Sequence, residues 1–292
     1  MSAAVQLLKP HVKDLGGGFL VHRLLPSSVQ QAVGPFIFFD HFGPVEVEPE
    51  TNHDVRPHPH IGLATLTYLF EGVILHRDNL GYVQRIEPGA INWMTAGRGI
   101  VHSERRPTEQ AQTSYVNHGL QLWLALPEAL EETGATFTHT PAEAIPEVVY
   151  ESVTVRVLVG EAFGAQSPVA TLSPTLYLDV QLPANTSWTL PMLAEQQGVY
   201  AVQGALSVGG VEVPGHTLAV VSEDVVLVSG AEAVRLVVVG GQPLGHRFMW
   251  WNFASSSKER IETASGAWER MDAAAGMGQV PGETEQIPLP AR

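Results

Sequence analysis

Short apolar runs alternate with turn residues along most of this chain, and that rhythm limits the folds open to it. Residues 36–39 (Phe-Ile-Phe-Phe) follow Gly34-Pro35 and end at Asp40-His-Phe-Gly-Pro44. Residues 64–70 stop at Glu71-Gly72, 83–86 lead into Pro88-Gly89, 90–94 precede Gly97-Arg98-Gly99, and 119–126 end at Pro127. A second series starts near Val148, with runs at 153–159, 176–182, 198–202, 218–221, 225–228 and 234–239. Regularly spaced short strands of this kind suggest a sandwich or a barrel. With 292 residues, the prior is two domains.

The two series echo each other. Tyr68-Leu-Phe-Glu-Gly72, followed by Pro88-Gly89, resembles Tyr200-Ala-Val-Gln-Gly204, followed by Pro214-Gly215. The expected organisation is therefore a duplicated β-barrel with one active and one structural copy: 1–130, a connector at 131–147, a second domain at 148–245, and a tail at 246–292. Within the tail, 255–271 has serine cap candidates, and Ile261, Ala264 and Trp268 form one apolar stripe, which predicts a short helix. After Gly276, Pro281, Pro288 and Pro290 interrupt a stretch without apolar periodicity, which reads as a loose end.

The formal charge of −14 argues against a broad phosphate-binding surface, and so against direct nucleic-acid binding. It is compatible with a protein partner. The N-terminus lacks the basic region and long apolar run of a secretory signal, and no apolar stretch approaches a membrane span. The expectation is a soluble cytoplasmic protein. There is no cysteine, so any metal must be held by N and O groups.

Seven of the twelve histidines fall between His41 and His118. His58-Pro-His60 and His102-Ser-Glu104 each place two metal-capable side chains two residues apart. On a strand, period two sends both members of a pair to one face. Two such pairs on neighbouring strands would converge as three imidazoles and one carboxylate, a credible site for a divalent transition metal with positions left for substrate or O2. The alternatives are a closed zinc site and a set of histidines satisfied by hydrogen bonds. Pro59 belongs at a strand end, edge or bulge. His41 is a candidate for the pocket or for a turn. His76 and His118 read as hydrogen-bonded structural histidines, and Trp93, Met94, Leu122 and Trp123 as core. No Gly-x-Ser-x-Gly elbow, phosphate loop or dinucleotide fingerprint is evident.

Three segments resemble the pirin family of bicupins: residues 34–44, His58-Pro-His-Ile-Gly62, and 88–104 with its run Trp93-Met-Thr-Ala-Gly-Arg-Gly-Ile-Val-His-Ser-Glu104. Gly119-Leu-Gln-Leu-Trp123 and Gly160-Glu161 extend the likeness, and residues 250–262 resemble the ending of a bacterial pirin-like subgroup. The resemblance implies an all-β protein of two cupin-type β-barrels with a short C-terminal helical tail and metal only in the first barrel. It implies His58, His60, His102 and Glu104 as ligands, with Fe(II) the usual metal and Mn, Co, Ni or Cu as substitutes. It further implies O2-dependent cleavage of quercetin or a related flavonol, in which Glu104 helps remove the 3-hydroxyl proton; His41, the pocket candidate read from its own segment, is the candidate substrate contact. Other family members are non-enzymatic, redox-responsive partners of transcription or metabolic proteins; a third reading is a structural bicupin with an empty site. One departure stands out: a glutamate common shortly after His-x-His is Ala64 here, and Ile61 replaces an arginine often seen there.

Overall fold

The computed structural model describes residues 5–16 and 18–291. The chain divides into two compact units, each assembled from three stretches. One takes residues up to Val12, His22–Asp40 and Thr140–Pro243; the other takes Lys13–Val21, His41–His139 and the chain from Leu244 onward.

The first of these units rests on a seven-stranded antiparallel sheet whose edges are Val5–Leu8 and Glu147–Tyr150. A four-stranded sheet of Ser187–Leu190, Val225–Ser229, Leu206–Val208 and Val211–Val213 faces it. Alternation along the strands sends one side chain in two inward. In Val225–Ser229, for example, Val225, Leu227 and Ser229 are buried while Val226 and Val228 are exposed. The inward residues of both sheets, among them Leu178, Val180, Trp188, Leu190, Leu206, Leu227 and Val238, share one apolar core.

The second unit carries the four-stranded sheet that holds the histidine pairs. Its order is Val55–His60, Ile100–Arg105, Ile74–Asp78, Val83–Ile86. A second seven-stranded sheet runs from Thr136–Thr140 at one edge to His11–Asp14 at the other.

The internal echo and the resemblance both led to closed barrels, and the sheet topology overturns that expectation. The protein is mostly β-sheet with a short C-terminal helix, but the sheets are open. Closure needs every edge strand to find a hydrogen-bonded neighbour around the full circumference. Here the seven-stranded and four-stranded sheets remain separate ladders. The edges are short or solvated: Glu147–Tyr150 has four residues, with Val149 73% exposed, and all four residues of His11–Asp14 are exposed. Register shifts at His118/Gly119, Val157/Val159 and Ala201/Gln203 bend the ladders further. In the first unit, where the two sheets share one core, the face-to-face architecture is the one realised.

The helix of the tail forms at Lys258–Glu269, with the Ser257 hydroxyl accepting from the Arg260 backbone N–H. Its buried face includes Ile261, Ala264, Ala267 and Trp268. These pack with Phe253, Met277 and Val280 against Ile61 and Val101, the outward side of the histidine-bearing strands. The stretch after Gly276 is not a loose end. Met277 and Val280 are buried, the Ile287 N–H donates to the Pro57 carbonyl, and the Trp268 indole donates to the Ile287 carbonyl. Its proline-rich sequence lacks periodicity because it is a strap in extended contact with a sheet, which needs no helical or strand repeat. Among the described residues, no helix is long and apolar enough to cross a membrane.

Candidate metal centre

Val55–His60 and Ile100–Arg105 pair antiparallel, with His102 opposite His58 and Ile100 opposite His60. The first strand is the edge of its sheet, where Pro57 and Pro59 deprive no inner ladder of a donor. Between the pairs His102–His58 and Glu104–Val55 the register slips, so Val55–His60 carries one extra residue there. On the other strand Val101 faces the tail, while His102 faces inward.

His58, His60 and His102 come together with one ligand nitrogen each, all within 4.8 Å of one another. All three are buried, at 7%, 1% and 2% exposure. Among the described residues this is the one such group. Glu104 lies on the same strand and is not a member of it. His41 is elsewhere in its hydrogen bonding: its Nε2 lies 2.8 Å from Nε2 of His118.

The hydrogen bonds around the trio decide what it can hold. His58 donates from Nδ1 to the Arg56 carbonyl at 2.9 Å, and His60 donates from Nδ1 to the Asn252 carbonyl at 3.1 Å. His102 Nδ1 meets Nδ1 of His76 at 3.4 Å. His60 and His102 then confront each other Nε2 to Nε2 at 3.1 Å. With the Nδ1 positions of His58 and His60 committed as donors, their Nε2 atoms are left as lone pairs aimed at common ground with the ring of His102. Burial keeps these rings neutral: it pushes His58 down to about 4, against a weaker upward pull from its hydrogen bond to Arg56. Burial, helped by the neighbouring imidazoles, also holds His60 and His102 well below the ordinary histidine value. Converging neutral imidazoles with anchored Nδ1–H groups are the donor set of a divalent transition metal. Glu104 carries a different shift, since burial raises its carboxyl to about 7.

The Asn252 carbonyl comes from a turn between Phe248–Trp250 and Phe253–Ser255, where Trp251 adopts a left-handed backbone at φ 54°. A bulky residue in that region is uncommon and costs about 1–3 kcal/mol, so the surrounding contacts must impose it. They are present: the Ala254 N–H donates to the Ile61 carbonyl, and Glu131 accepts from both Ser255 and Ser256. Gly62 permits the approach, because a Cβ there would collide with the Ala254 carbonyl. Trp123, expected in the core, is indeed buried, and its ring stands edge-on to His60 with centroids 5.1 Å apart.

Sequence reasoning missed His76, Asp78 and Asn252 as parts of this site. His76-Arg-Asp78 has the same two-residue spacing as the other pairs, and that was an available signal. Nothing in the sequence marks Asn252, which acts through its backbone from 192 residues beyond His60.

Two family models match the chain: Pirin over residues 18–124 and Pirin C-terminal cupin domain over 177–273. A pirin-like protein of Caulobacter vibrioides is 42% identical over 95% of this chain and 96% of its own. The crystal structure of a quercetin 2,3-dioxygenase from Acinetobacter baumannii superposes with a TM-score of 0.91 at 31% identity, covering 99% of this chain and 95% of that one. The Escherichia coli pirin YhhW, solved in complex with nickel(II), shares the fold at a TM-score of 0.64 and 17% identity, over 82% of this chain and all of its own.

Proposed function

Because this chain belongs to the pirin family, we propose that it is a metal-dependent dioxygenase of the quercetin 2,3-dioxygenase type, cleaving the ring of a flavonol with O2. The observation that carries this reading is the convergence of three buried imidazoles, two of them anchored through Nδ1–H to backbone carbonyls. The likeness to the Acinetobacter baumannii enzyme supplies the reaction class.

In this reading His58, His60 and His102 hold one divalent metal, Fe(II) by family habit, and Glu104 is the fourth ligand. The metal would supply Lewis acidity toward a flavonol oxygen and a meeting point for O2. The chain's own contribution is proton handling and exclusion of water. In the metal-free protein burial raises the Glu104 carboxyl to about 7; a bound cation would favour its carboxylate form, the form that can accept the flavonol 3-hydroxyl proton. Trp123 walls the site beside His60. His41, paired with His118, is the proposed contact to the substrate's aromatic body. The reading places the protein in the cytoplasm, with an aromatic small molecule and O2 as its reaction partners.

The test is anaerobic loading with Fe(II), Mn(II), Co(II), Ni(II) or Cu(II), followed by O2 uptake with quercetin. Uptake should require metal, and Glu104→Gln should lower it by about 100- to 10,000-fold, the usual worth of a positioned general base. A fully loaded protein that takes up no O2 with any flavonol would sink the proposal and leave a metal-responsive binding protein in its place.

A further inference from the structure

His102 differs from the other two imidazoles in what holds its far side. His58 and His60 donate to backbone carbonyls. A carbonyl can only accept, so it fixes each ring as the Nδ1–H tautomer without help. His102 instead meets another imidazole, Nδ1 to Nδ1. An imidazole can donate or accept at either nitrogen, so His76 can direct His102 only if its own tautomer is fixed.

Asp78 fixes it. His76 Nε2 lies 2.9 Å from Asp78 Oδ2, and a carboxylate only accepts, so the proton of His76 sits on Nε2 and its Nδ1 is a lone pair. The other oxygen of Asp78 accepts from the backbone N–H groups of Leu80 at 2.9 Å and Tyr82 at 3.0 Å, which locks the carboxylate in its turn. The ring of His76 lies flat on Phe137, with centroids 4.3 Å apart and planes 17° from parallel. His76 and Asp78 are 2% and 0% exposed, so water does not compete for these bonds.

We propose that Asp78 and His76 are positioning residues that dictate the tautomer of His102, keeping its Nε2 free of a proton and aimed at the metal. The proposal rests on reading His58, His60 and His102 as the metal ligands. Direction passes inward along one chain of bonds: an acceptor-only carboxylate orients His76, and His76 orients His102. Carboxylate-oriented histidine ligands are worth about 10- to 100-fold in metal affinity, and here the effect is transmitted through one additional ring.

Asp78→Asn makes the test sharp. The amide oxygen retains the caps to Leu80 and Tyr82, while the amide NH2 replaces the oxygen facing His76. His76 must then accept at Nε2 and carry its proton on Nδ1. His102 must accept there in turn, which moves its own proton to Nε2 and into the metal site. His76→Phe, a second variant, keeps the stack on Phe137 and removes the acceptor altogether.

The first readout is the tautomer of each histidine in the metal-free full-length protein at pH 8, by nitrogen-15 long-range NMR. The second is Co(II) affinity, by competition with a chromophoric chelator. The expected result is His102 protonated at Nδ1 in the wild type and at Nε2 in Asp78→Asn. Co(II) affinity should fall about 10- to 100-fold in both variants. A wild-type His102 protonated at Nε2 overturns the proposal without any variant needing to fold. So does an Asp78→Asn protein with unchanged tautomers and Co(II) affinity within threefold of wild type. Failure of the wild type to bind any divalent metal refutes the metal-site reading itself, and the tautomer spectra then decide the positioning role alone.

Discussion

Two four-stranded sheets of similar size face inward in opposite styles. The sheet built around Val225–Ser229 presents Trp188, Leu190, Leu206, Val208 and Leu227 to an interior made of carbon. The sheet built around Ile100–Arg105 buries His58, His60, His76, Asp78 and His102. The first gains stability from its own contents, at about 25 cal/mol per Å2 of apolar surface removed from water. The second buries groups that each cost about 1–3 kcal/mol when left without a partner. Its stability is drawn from the opposite side, where Ile61 and Val101 are covered by Phe253, Ile261, Trp268 and Met277. One interior is free to be a core because nothing is asked of it; the other is a site because its outer face does the work of a core.

The largest way to break the contrast is to remove an imidazole. His60→Ala should lower Co(II) affinity by more than the ~10- to 100-fold that outer hydrogen-bonding partners are worth, while the metal-free protein loses about 1–3 kcal/mol of stability from the Asn252 carbonyl left without its donor. Leu178→Ala should do the reverse: a loss of about 2–5 kcal/mol in urea unfolding, with metal stoichiometry intact. The third test is pH. His58 titrates near 6.5 in an unfolded chain and about 4 in the folded one. Between those values the unfolded chain binds a proton that the folded chain refuses. The contribution of His58, read as the difference between metal-free wild type and His58→Gln, should therefore be full above pH 6.5, shrink by up to about 3 kcal/mol as pH falls toward 4 and level off below. Glu104, raised to about 7, acts in the opposite direction in both proteins, and denaturant titration of the pair across that window isolates the His58 part. The smallest effect concerns the strap. Glu283 accepts from Ser103 and Arg105, and Glu283→Gln should cost about 1–2 kcal/mol of folding stability, with Co(II) affinity retained; an equal loss of affinity would show that the strap shapes the site directly.

The parts of this design that depend on local spacing were legible in the sequence. His58-x-His60 announced one face of a strand, His102-Ser-Glu104 announced another, and the Ser257 cap with its apolar stripe announced the helix. What escaped depends on partners distant in the chain. Asn252 contributes a carbonyl, which every residue owns, so its side chain gives no clue. Pro281 and Pro288 looked like markers of a loose end, although prolines suit a strap that donates few ladder hydrogen bonds. Sheet closure depends on whether edge strands meet, and strand lengths and turns alone left sandwich and barrel equally open. The internal echo and the resemblance both favoured barrels, and the exposed edges decided against them.

The acceptor for His60 arrives late in the life of each molecule. Asn252 follows His102 by about 150 residues, which at ~5–20 residues per second of synthesis is roughly 8–30 s. During that interval the ribosome makes residues 140–243, most of a unit with its own apolar core, while the histidine-bearing strands still lack both their cover and one of their anchors. The centre is thereby completed only once the segment around Asn252 is made: a nascent chain stalled before Trp250 would already possess every imidazole of the trio, yet not the backbone that holds one of them still.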